Sequence, residues 1–272
     1  MRGASRASLS AAKERLSATL AGVTAAEASE VGDQLFAVLG LLDREPALRR
    51  ILSDPSRERA ARIGLAETLL AGKISATTLD LLPGLVAARW SEPGDLTEAI
   101  EQLAVLAIAE AADREGLLDE LEDELFRFGR IAAGNSDLRA ALSNQFVPAT
   151  GRASLVRELV AGKVSEPALR LIIQGAAYPR GRSLDGVLEA YAKLVAELRE
   201  RLVAEVHVAV PLSDEQRGGL AAALVAAYGH DVHLNVVLDP GLIGGITVRI
   251  ADELIDGSVA SRLAELRRNL AA

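Results

Sequence analysis

The chain has 272 residues, half of them apolar, few aromatic side chains and a net charge of −8. This composition provides a folded core, which excludes a disordered chain, and the acidic excess argues against sequence-independent binding to nucleic acid. The absence of cysteine excludes disulfides, thiolate metal ligands and cysteine nucleophiles.

The N-terminal segment, residues 1–20, lacks the apolar stretch of a signal peptide. The longest apolar run, residues 103–112, is interrupted by Glu110 and is too short to span a bilayer. We therefore expect a soluble, cytoplasmic chain with no direct membrane insertion, which reaches a membrane only through a partner.

Two segments repeat each other at a constant offset of 90 residues. Residues 48–79 and 138–169 align without a gap, with twelve of 32 positions identical. Leucines four residues apart predict helices. Each copy is predicted to contain a long helix, a short one (48–52 or 138–142), two medium helices and another long helix. We call the two segments, with their flanking helices, the first and second copies.

An Ala-Gly-Lys triplet follows a predicted helix in each copy, at 71–73 and 161–163. A phosphate-binding loop is one interpretation, but the triplet lacks the other residues of that motif and does not follow a strand. We therefore predict that Gly72 and Gly162 end their helices in a left-handed conformation, and that Ser75 and Ser165 cap the next helices.

Residues 95–131 connect the two copies and are predicted to be helical. The sequence leaves open whether they form one helix or break at 114–116, where Gly116 lies. Within them, the acidic run 119–124 alternates with leucines. This spacing favours the solvated face of an amphipathic helix over a cation site.

After Arg201 the pattern changes from helical to alternating. Residues 202–210 alternate with a period of two, which predicts a strand. Its apolar face is predicted to carry Leu202, Ala204, Val206, Val208 and Val210. Ser213 and Gln216 have the spacing of a capping box, so a helix is predicted from there to Gly229.

Further strands are predicted at 232–238 and 246–250, with Leu254 and Ile255 as a possible extension of the sheet edge. Ser258 is predicted to cap a final helix. The fold class is therefore mainly α: an N-terminal helical bundle with an internally duplicated helical unit, then a small α+β module (β-α-β-β-α) with a mixed three-stranded sheet. The predicted domains are 1–115 (extra bundle copy), 116–200 (bundle) and 201–272 (α+β module).

Few residues suggest a catalytic, metal-binding or ligand-binding site. His207 and His233 lie opposite the apolar strand faces and are expected to face solvent, and His230 with His233 lacks a carboxylate at a recognised metal-ligand spacing. Arg180 and Arg182 precede a predicted helix, which favours a solvated interhelical loop over an anion site. Trp90, in the corresponding loop of the first copy, is either packed locally or an interface anchor. No catalytic, cofactor or metal site is predicted.

Residues 239–257 contain glycines between apolar runs, as phosphate-binding loops do. No lysine and no helix follow Gly245, whereas a phosphate cradle requires a helix N-terminus or a nest at that point. The glycines are therefore interpreted as turn and bulge residues that shape the sheet.

The C-terminal third carries one long pattern: an Asp-Pro-Gly turn, Ile-Gly-Gly, a strand containing arginine, and an Ile-Asp-Gly-Ser turn. Its members are Asp239, Pro240, Gly241, Ile243, Gly244, Gly245, Val248, Arg249, Ile250, Ile255, Asp256, Gly257 and Ser258. With residues 210–216 and the terminal helix, this pattern resembles the delta subunit of F-type ATP synthases, the family of the mitochondrial oligomycin-sensitivity-conferring protein.

Residues 120–200 also resemble the helical bundle of that family, so the resemblance covers about 115–272. Residues 1–115 exceed a simple delta subunit, and the internal repeat explains them as a second copy of bundle helices, similar to the long actinobacterial form.

The resemblance implies a non-catalytic protein on the cytoplasmic face of the cell membrane. It implies that the bundle holds N-terminal helices of ATP synthase alpha subunits and that the C-terminal module binds the C-terminus of the peripheral-stalk b subunit, with no cofactor. The alternatives are a generic helical adaptor that binds amphipathic helices and a phosphate-binding enzyme that uses residues 239–257.

Overall fold

The computed structural model describes residues 1, 3–144, 146–228, 232–239, 241–242, 244–250 and 253–256. The chain divides into two compact units, one ending at Ala196 and the other beginning at Glu197. We call them the helical unit and the C-terminal unit. The three-part division with boundaries near 115 and 200 stays a prediction.

The helical unit confirms the predicted order of long, short, medium, medium and long helices in both copies. Its helices are α1 Gly3–Leu20, α2 Ala25–Arg44, α3 Pro46–Ser53, α4 Arg59–Leu70, α5 Ala76–Ala87, α6 Pro93–Arg114, α7 Leu118–Gly134, α8 Ser136–Ser143, α9 Ala149–Val160, α10 Glu166–Ala177 and most of α11 Leu184–Leu202, whose last six residues belong to the C-terminal unit.

Helix α6 belongs to both copies. At the 90-residue offset it corresponds to α1, and it is also the last long helix of the first copy. It packs against α1, α2, α3 and α5 of the first copy and against α7 and α10 of the second copy. Fifteen of its 22 residues are buried, as expected for a helix surrounded by other helices. The copies therefore overlap in one shared core helix.

Residues 95–131 form two helices, and the break between them lies at Gly116. Its φ of 70° ends α6 in the left-handed conformation. The Gly116 amide donates to the Asp113 carbonyl (2.9 Å), and the Leu117 amide donates to the Ala112 carbonyl (2.8 Å). This pair of bonds is a Schellman motif, and it breaks the segment at the place the sequence marked as a possible break.

The predicted helix ends and caps at the Ala-Gly-Lys triplets are confirmed. Gly72 and Gly162 have φ values of 71° and 74°. The Ser75 hydroxyl accepts a bond from the Thr78 amide at the start of α5. The Ser165 hydroxyl accepts one from the Ala168 amide at the start of α10.

The C-terminal unit contains a four-stranded mixed sheet in the order β2-β1-β3-β4. Its elements are β1 Val203–Val208, α12 Asp214–Tyr228, β2 His233–Leu238, β3 Ile246–Ile250 and β4 Glu253–Asp256. Strand β1 is parallel to β2 and antiparallel to β3, and β3 is antiparallel to β4. The core includes Ala204, Val206, Val208, Leu224, Val248 and Ile250.

Three details correct the sequence analysis. The sheet has four strands rather than three, because residues 253–256 pair along β3 and add a full edge strand. Leu202 ends α11 instead of starting the strand. Val210 lies beyond β1 with 69% of its surface exposed, because the strand ends at Val208.

The predicted capping box is confirmed. The Ser213 amide donates to Gln216 Oε1 (2.9 Å), and the Gln216 amide donates to Ser213 Oγ (3.2 Å). The predicted final helix after Ser258 lies outside the described residues.

Candidate interaction surfaces

Arg62 and Arg152 occupy equivalent positions in the two copies, and both bind carbonyl groups at a helix C-terminus. Arg62 is buried and donates to the carbonyl groups of Leu52 and Val86. Arg152 donates to the carbonyl groups of Ala176 (2.9 Å) and Ala177 (2.7 Å). The carbonyls at the end of α5 or α10 have no partner within their own helix, so each arginine satisfies a helix C-terminus.

Each capping serine is also held by an acceptor from the preceding long helix. The amide and hydroxyl of Ser75 donate to Gln34 Oε1 at 2.9 and 3.0 Å. In the second copy, the hydroxyl of Ser165 donates to Glu124 Oε2 at 2.6 Å. The sequence comparison missed this pair because glutamine and glutamate are not identical, although both present an acceptor oxygen.

Glu124 therefore departs from the prediction that the acidic run 119–124 is solvated. Asp119, Glu120 and Asp123 are exposed as predicted, but Glu124 is only 4% exposed. Burial of a carboxylate requires hydrogen-bond donors, and the Ser165 amide and hydroxyl supply them.

A partly buried polar cluster joins the two copies, and we call it the Glu101 clasp. The carboxylate of Glu101, on α6 and 3% exposed, accepts bonds from Arg180 Nη1 (2.7 Å), Arg182 Nη2 and the Tyr191 hydroxyl (2.8 Å). Arg180 also donates to Thr97 Oγ1 (2.7 Å) and lies 2.9 Å from Asp43 Oδ2. The clasp comprises Asp43, Thr97, Glu101, Arg180, Arg182 and Tyr191.

The contacts of Arg180 and Arg182 in the clasp differ from both interpretations of these residues, the anion site and the solvated loop. Their guanidinium groups bind carboxylates of the chain itself, so the loop is neither a ligand-binding anion site nor a simply solvated connection. Burial raises the pKa of the Tyr191 hydroxyl well above its ordinary value of 10.0, and the neighbouring Glu101 carboxylate raises it further. Tyr191 thus stays neutral and donates to the carboxylate.

Trp90 is packed locally. It is 4% exposed, and its indole Nε1 donates to the Leu85 carbonyl at 2.8 Å. The interface-anchor alternative is therefore wrong, because the indole ring is not available to a partner.

The first part of the glycine-containing pattern forms a turn beside β1. Asp239 donates its amide to the Val208 carbonyl (2.9 Å), and its Oδ1 accepts the Gly241 amide (2.8 Å). Gly244 and Gly245 have φ values of 158° and 84°, and β3 begins at the next residue. A strand rather than a helix follows the glycines, as predicted.

The described residues of the pattern that follow Gly245 lie in the sheet. Arg249 projects from β3 and lies 3.6 Å from Glu205 on β1, its partner across the ladder. Asp256 ends β4 opposite Thr247. Pro240, Ile243, Gly257 and Ser258 lie outside the described residues.

Substituting Gly245 with valine is expected to lower the melting temperature of the C-terminal unit. A β-branched residue is strained at a φ of 84°, by about 1–3 kcal/mol. Gly218→Ala in α12 is the control, since an added Cβ there meets nothing within 4 Å. Thermal melting followed by circular dichroism measures both variants. Equal melting of the two variants would show that the backbone at 245 does not need glycine.

The two described histidines, His207 and His233, do not share a site. His207 is partly buried beside Glu205 (3.3 Å), and His233 is exposed, whereas His230 lies outside the described residues. Among the described residues, no three His, Asp or Glu side chains are grouped so as to hold a metal ion. None of the helices in the described ranges is long and apolar enough to cross a membrane.

Exposed apolar side chains are distributed unevenly over the helical unit. Within the described part of residues 1–125, no large apolar side chain is exposed. Five are exposed in the second copy: Phe126, Ile131, Phe146, Leu159 and Tyr178. Ile131 and Leu159 line an open groove of about 350 Å³ formed by α7, α8 and α9. We call it the α7–α9 groove.

Comparison with known proteins also distinguishes the first copy from the rest of the chain. The family described as "ATP synthase delta (OSCP) subunit" matches residues 104–270, which omits most of the first copy. The ATP synthase subunit delta of Streptomyces griseus is 46% identical over 271 residues, covering 100% of both chains. The subunit delta of Thermobifida fusca is 45% identical over 273 residues, again covering 100% of both. The first copy is therefore shared with these relatives.

A chain in the mitochondrial ATP synthase hexamer of Toxoplasma gondii is 19% identical, with a TM-score of 0.30, covering 62% of this chain and 95% of that one. That likeness carries no argument about the fold. Family membership is established by the 46% identity to a bacterial relative over the full length and by the family match over residues 104–270. This chain belongs to the ATP synthase delta (OSCP) subunit family.

Proposed function

We propose that this chain is a non-catalytic stator subunit of a proton-translocating F-type ATP synthase. It links the catalytic head to the peripheral stalk, so that the head does not turn with the rotor and proton flow is coupled to ATP synthesis. The observation that carries the proposal is the 46% identity over the complete length to an ATP synthase subunit delta.

In this proposal the helical unit binds N-terminal helices of alpha subunits, and the C-terminal unit binds the C-terminus of the b subunit. Helices with apolar faces bind partner helices by groove packing, which needs no catalytic group. The glycine-containing pattern shapes the b-binding module. Residues 1–115 are the extra bundle copy, 116–200 the delta-type bundle and 201–272 the stalk-docking module.

A stator must transmit force without deforming, and two features of the helical unit support this role. Helix α6 is shared by both copies and is largely buried. The Glu101 clasp ties α6 and α2 to the loop before α11. The chain is held at the cytoplasmic face of the membrane through its partners.

Reconstitution tests the proposal. Membranes stripped of the head and of this chain are recombined with purified head, with and without the chain, and ATP hydrolysis and proton pumping are both measured. Only the sample with the chain is expected to regain ATP-driven proton pumping. Full coupling without the chain would refute the stator role.

A further inference from the structure

A solvent-open cleft of about 680 Å³ lies between the first and second copies, inside the helical unit. One wall is a face of α2 that includes Asp33, Phe36 and Gly40, and the other is a face of α10 that includes Arg170 and Ile173. Both helices pack against α6, whereas within the described residues α2 and α10 do not pack closely against each other. Across the cleft, the copies are therefore joined by side-chain bridges rather than by a continuous core.

Two ion pairs bridge α2 to the second copy, and they differ in how firmly they are held. Near the C-terminal end of α2, Asp43 lies 2.9 Å from Arg180, which Glu101 of the clasp also binds. Ten residues earlier on α2, a distance of about 15 Å, Asp33 pairs with Arg170 of α10. We call this second bridge the strap. Its side chains are 51% and 34% exposed, so it stabilises the closed cleft only weakly.

Arg170 has a second carboxylate within reach. Its Nε lies 3.4 Å from Glu166, one turn earlier on the same helix. When the strap breaks, Arg170 keeps Glu166 as a partner, and the half-exposed Asp33 is hydrated. Opening at this end therefore leaves no buried charge without a partner and breaks no close packing between α2 and α10, so the open and closed arrangements differ little in free energy.

We propose that the cleft opens and closes as a hinge, with the Glu101 clasp as its pivot and the strap as its latch. Arg170 binds both Asp33 and Glu166 in the closed arrangement and Glu166 alone in the open one. With an arm of about 15 Å, a rotation of about 20° about the clasp moves the strap end by about 5 Å. The hinge goes beyond the proposed function, since it concerns motion inside the helical unit, and it confines that motion to the end away from the clasp.

Distances between spin labels on the full chain test the hinge, because the chain has no cysteine of its own. Ala26→Cys in α2 with Glu158→Cys in α9 reports on the strap end, and Glu45→Cys with Asp185→Cys reports on the clasp end; all four positions are exposed. Double electron–electron resonance is expected to show a second distance, longer by about 5 Å, for the strap-end pair only. A single distance at both ends, or equal lengthening at both, would overturn the hinge and leave the stator role intact.

Two substitutions that act on Arg170 in opposite directions test the latch in the strap-end pair. Asp33→Ala removes the strap and is expected to raise the fraction of the longer distance about two- to fivefold, the range that an exposed ion pair can supply. Glu166→Ala leaves Asp33 to hold Arg170 and is expected to lower that fraction. Asp80→Ala, which removes an exposed pair with Arg15 inside the first copy, is the control and is expected to change nothing. No change with Asp33→Ala, or a rise with Glu166→Ala, would overturn the latch.

Discussion

Replacing Glu101 with alanine is expected to lower the free energy of unfolding of the helical unit by about 1–3 kcal/mol. The carboxylate is 3% exposed and accepts bonds from Arg180, Arg182 and Tyr191. Its removal leaves two guanidinium groups and a buried hydroxyl without their shared acceptor. The main cost arises at Tyr191, which is 1% exposed and is left without an acceptor, whereas Arg180 keeps its pairing with Asp43 and Arg182 is 37% exposed to solvent.

Denaturant unfolding followed by circular dichroism measures this effect, with Asp80→Ala as the control. Asp80 pairs with Arg15 at 3.1 Å, but the side chains are 62% and 45% exposed. An exposed pair contributes less than about 1 kcal/mol. A loss at Glu101 no larger than the loss at Asp80 would show that the clasp does not hold the copies together.

Replacing Gly32 with alanine is expected to destabilise the helical unit by about 1–3 kcal/mol, because the added atom overpacks the contact between α2 and α6. A Cβ at this position would lie 2.6 Å from Ile108 Cγ1 and 3.0 Å from the Ala104 carbonyl oxygen. The second of these is backbone, so it cannot turn aside as a side chain would. Only glycine permits the observed approach of the two helices.

Gly64→Ala in α4 is the matched control for Gly32→Ala. An added Cβ at Gly64 meets nothing within 4 Å, so alanine is expected to stabilise the helix by about 0.5–1 kcal/mol. Thermal melting should therefore shift downward for Gly32→Ala and upward for Gly64→Ala. Shifts of the same sign would contradict the close packing inferred for α2 and α6.

Local patterns in the sequence predicted most of the elements of the fold. Leucine spacing predicted the helices, and the Ala-Gly-Lys triplets predicted helix ends at Gly72 and Gly162, because a left-handed residue is a local requirement. Alternation predicts the first three strands. It indicates β4 only as a possible extension of the sheet edge, because a four-residue exposed strand carries little apolar periodicity.

The candidate surfaces were much less predictable. Arg180 and Arg182 were visible in the sequence as a basic loop, but their acceptor Glu101 lies 79 and 81 residues earlier. The environment of Trp90 is not predictable from the sequence for the same reason, because tertiary packing forms it. The α7–α9 groove was not predicted at all, because apolar residues such as Ile131 and Leu159 have the same helical spacing as buried core residues.

The sequence by itself determined the family, the repeat, the order of the helices and the turns that end them. These features depend on residue types at short spacing, where backbone sterics and hydrophobic periodicity act. The tertiary structure alone decided that the copies share α6, that Glu101 binds two arginines across the repeat, and that Ile131 and Leu159 of the second copy are exposed. Those outcomes depend on side-chain volumes and charges brought together from distant parts of the chain, and no local pattern records them.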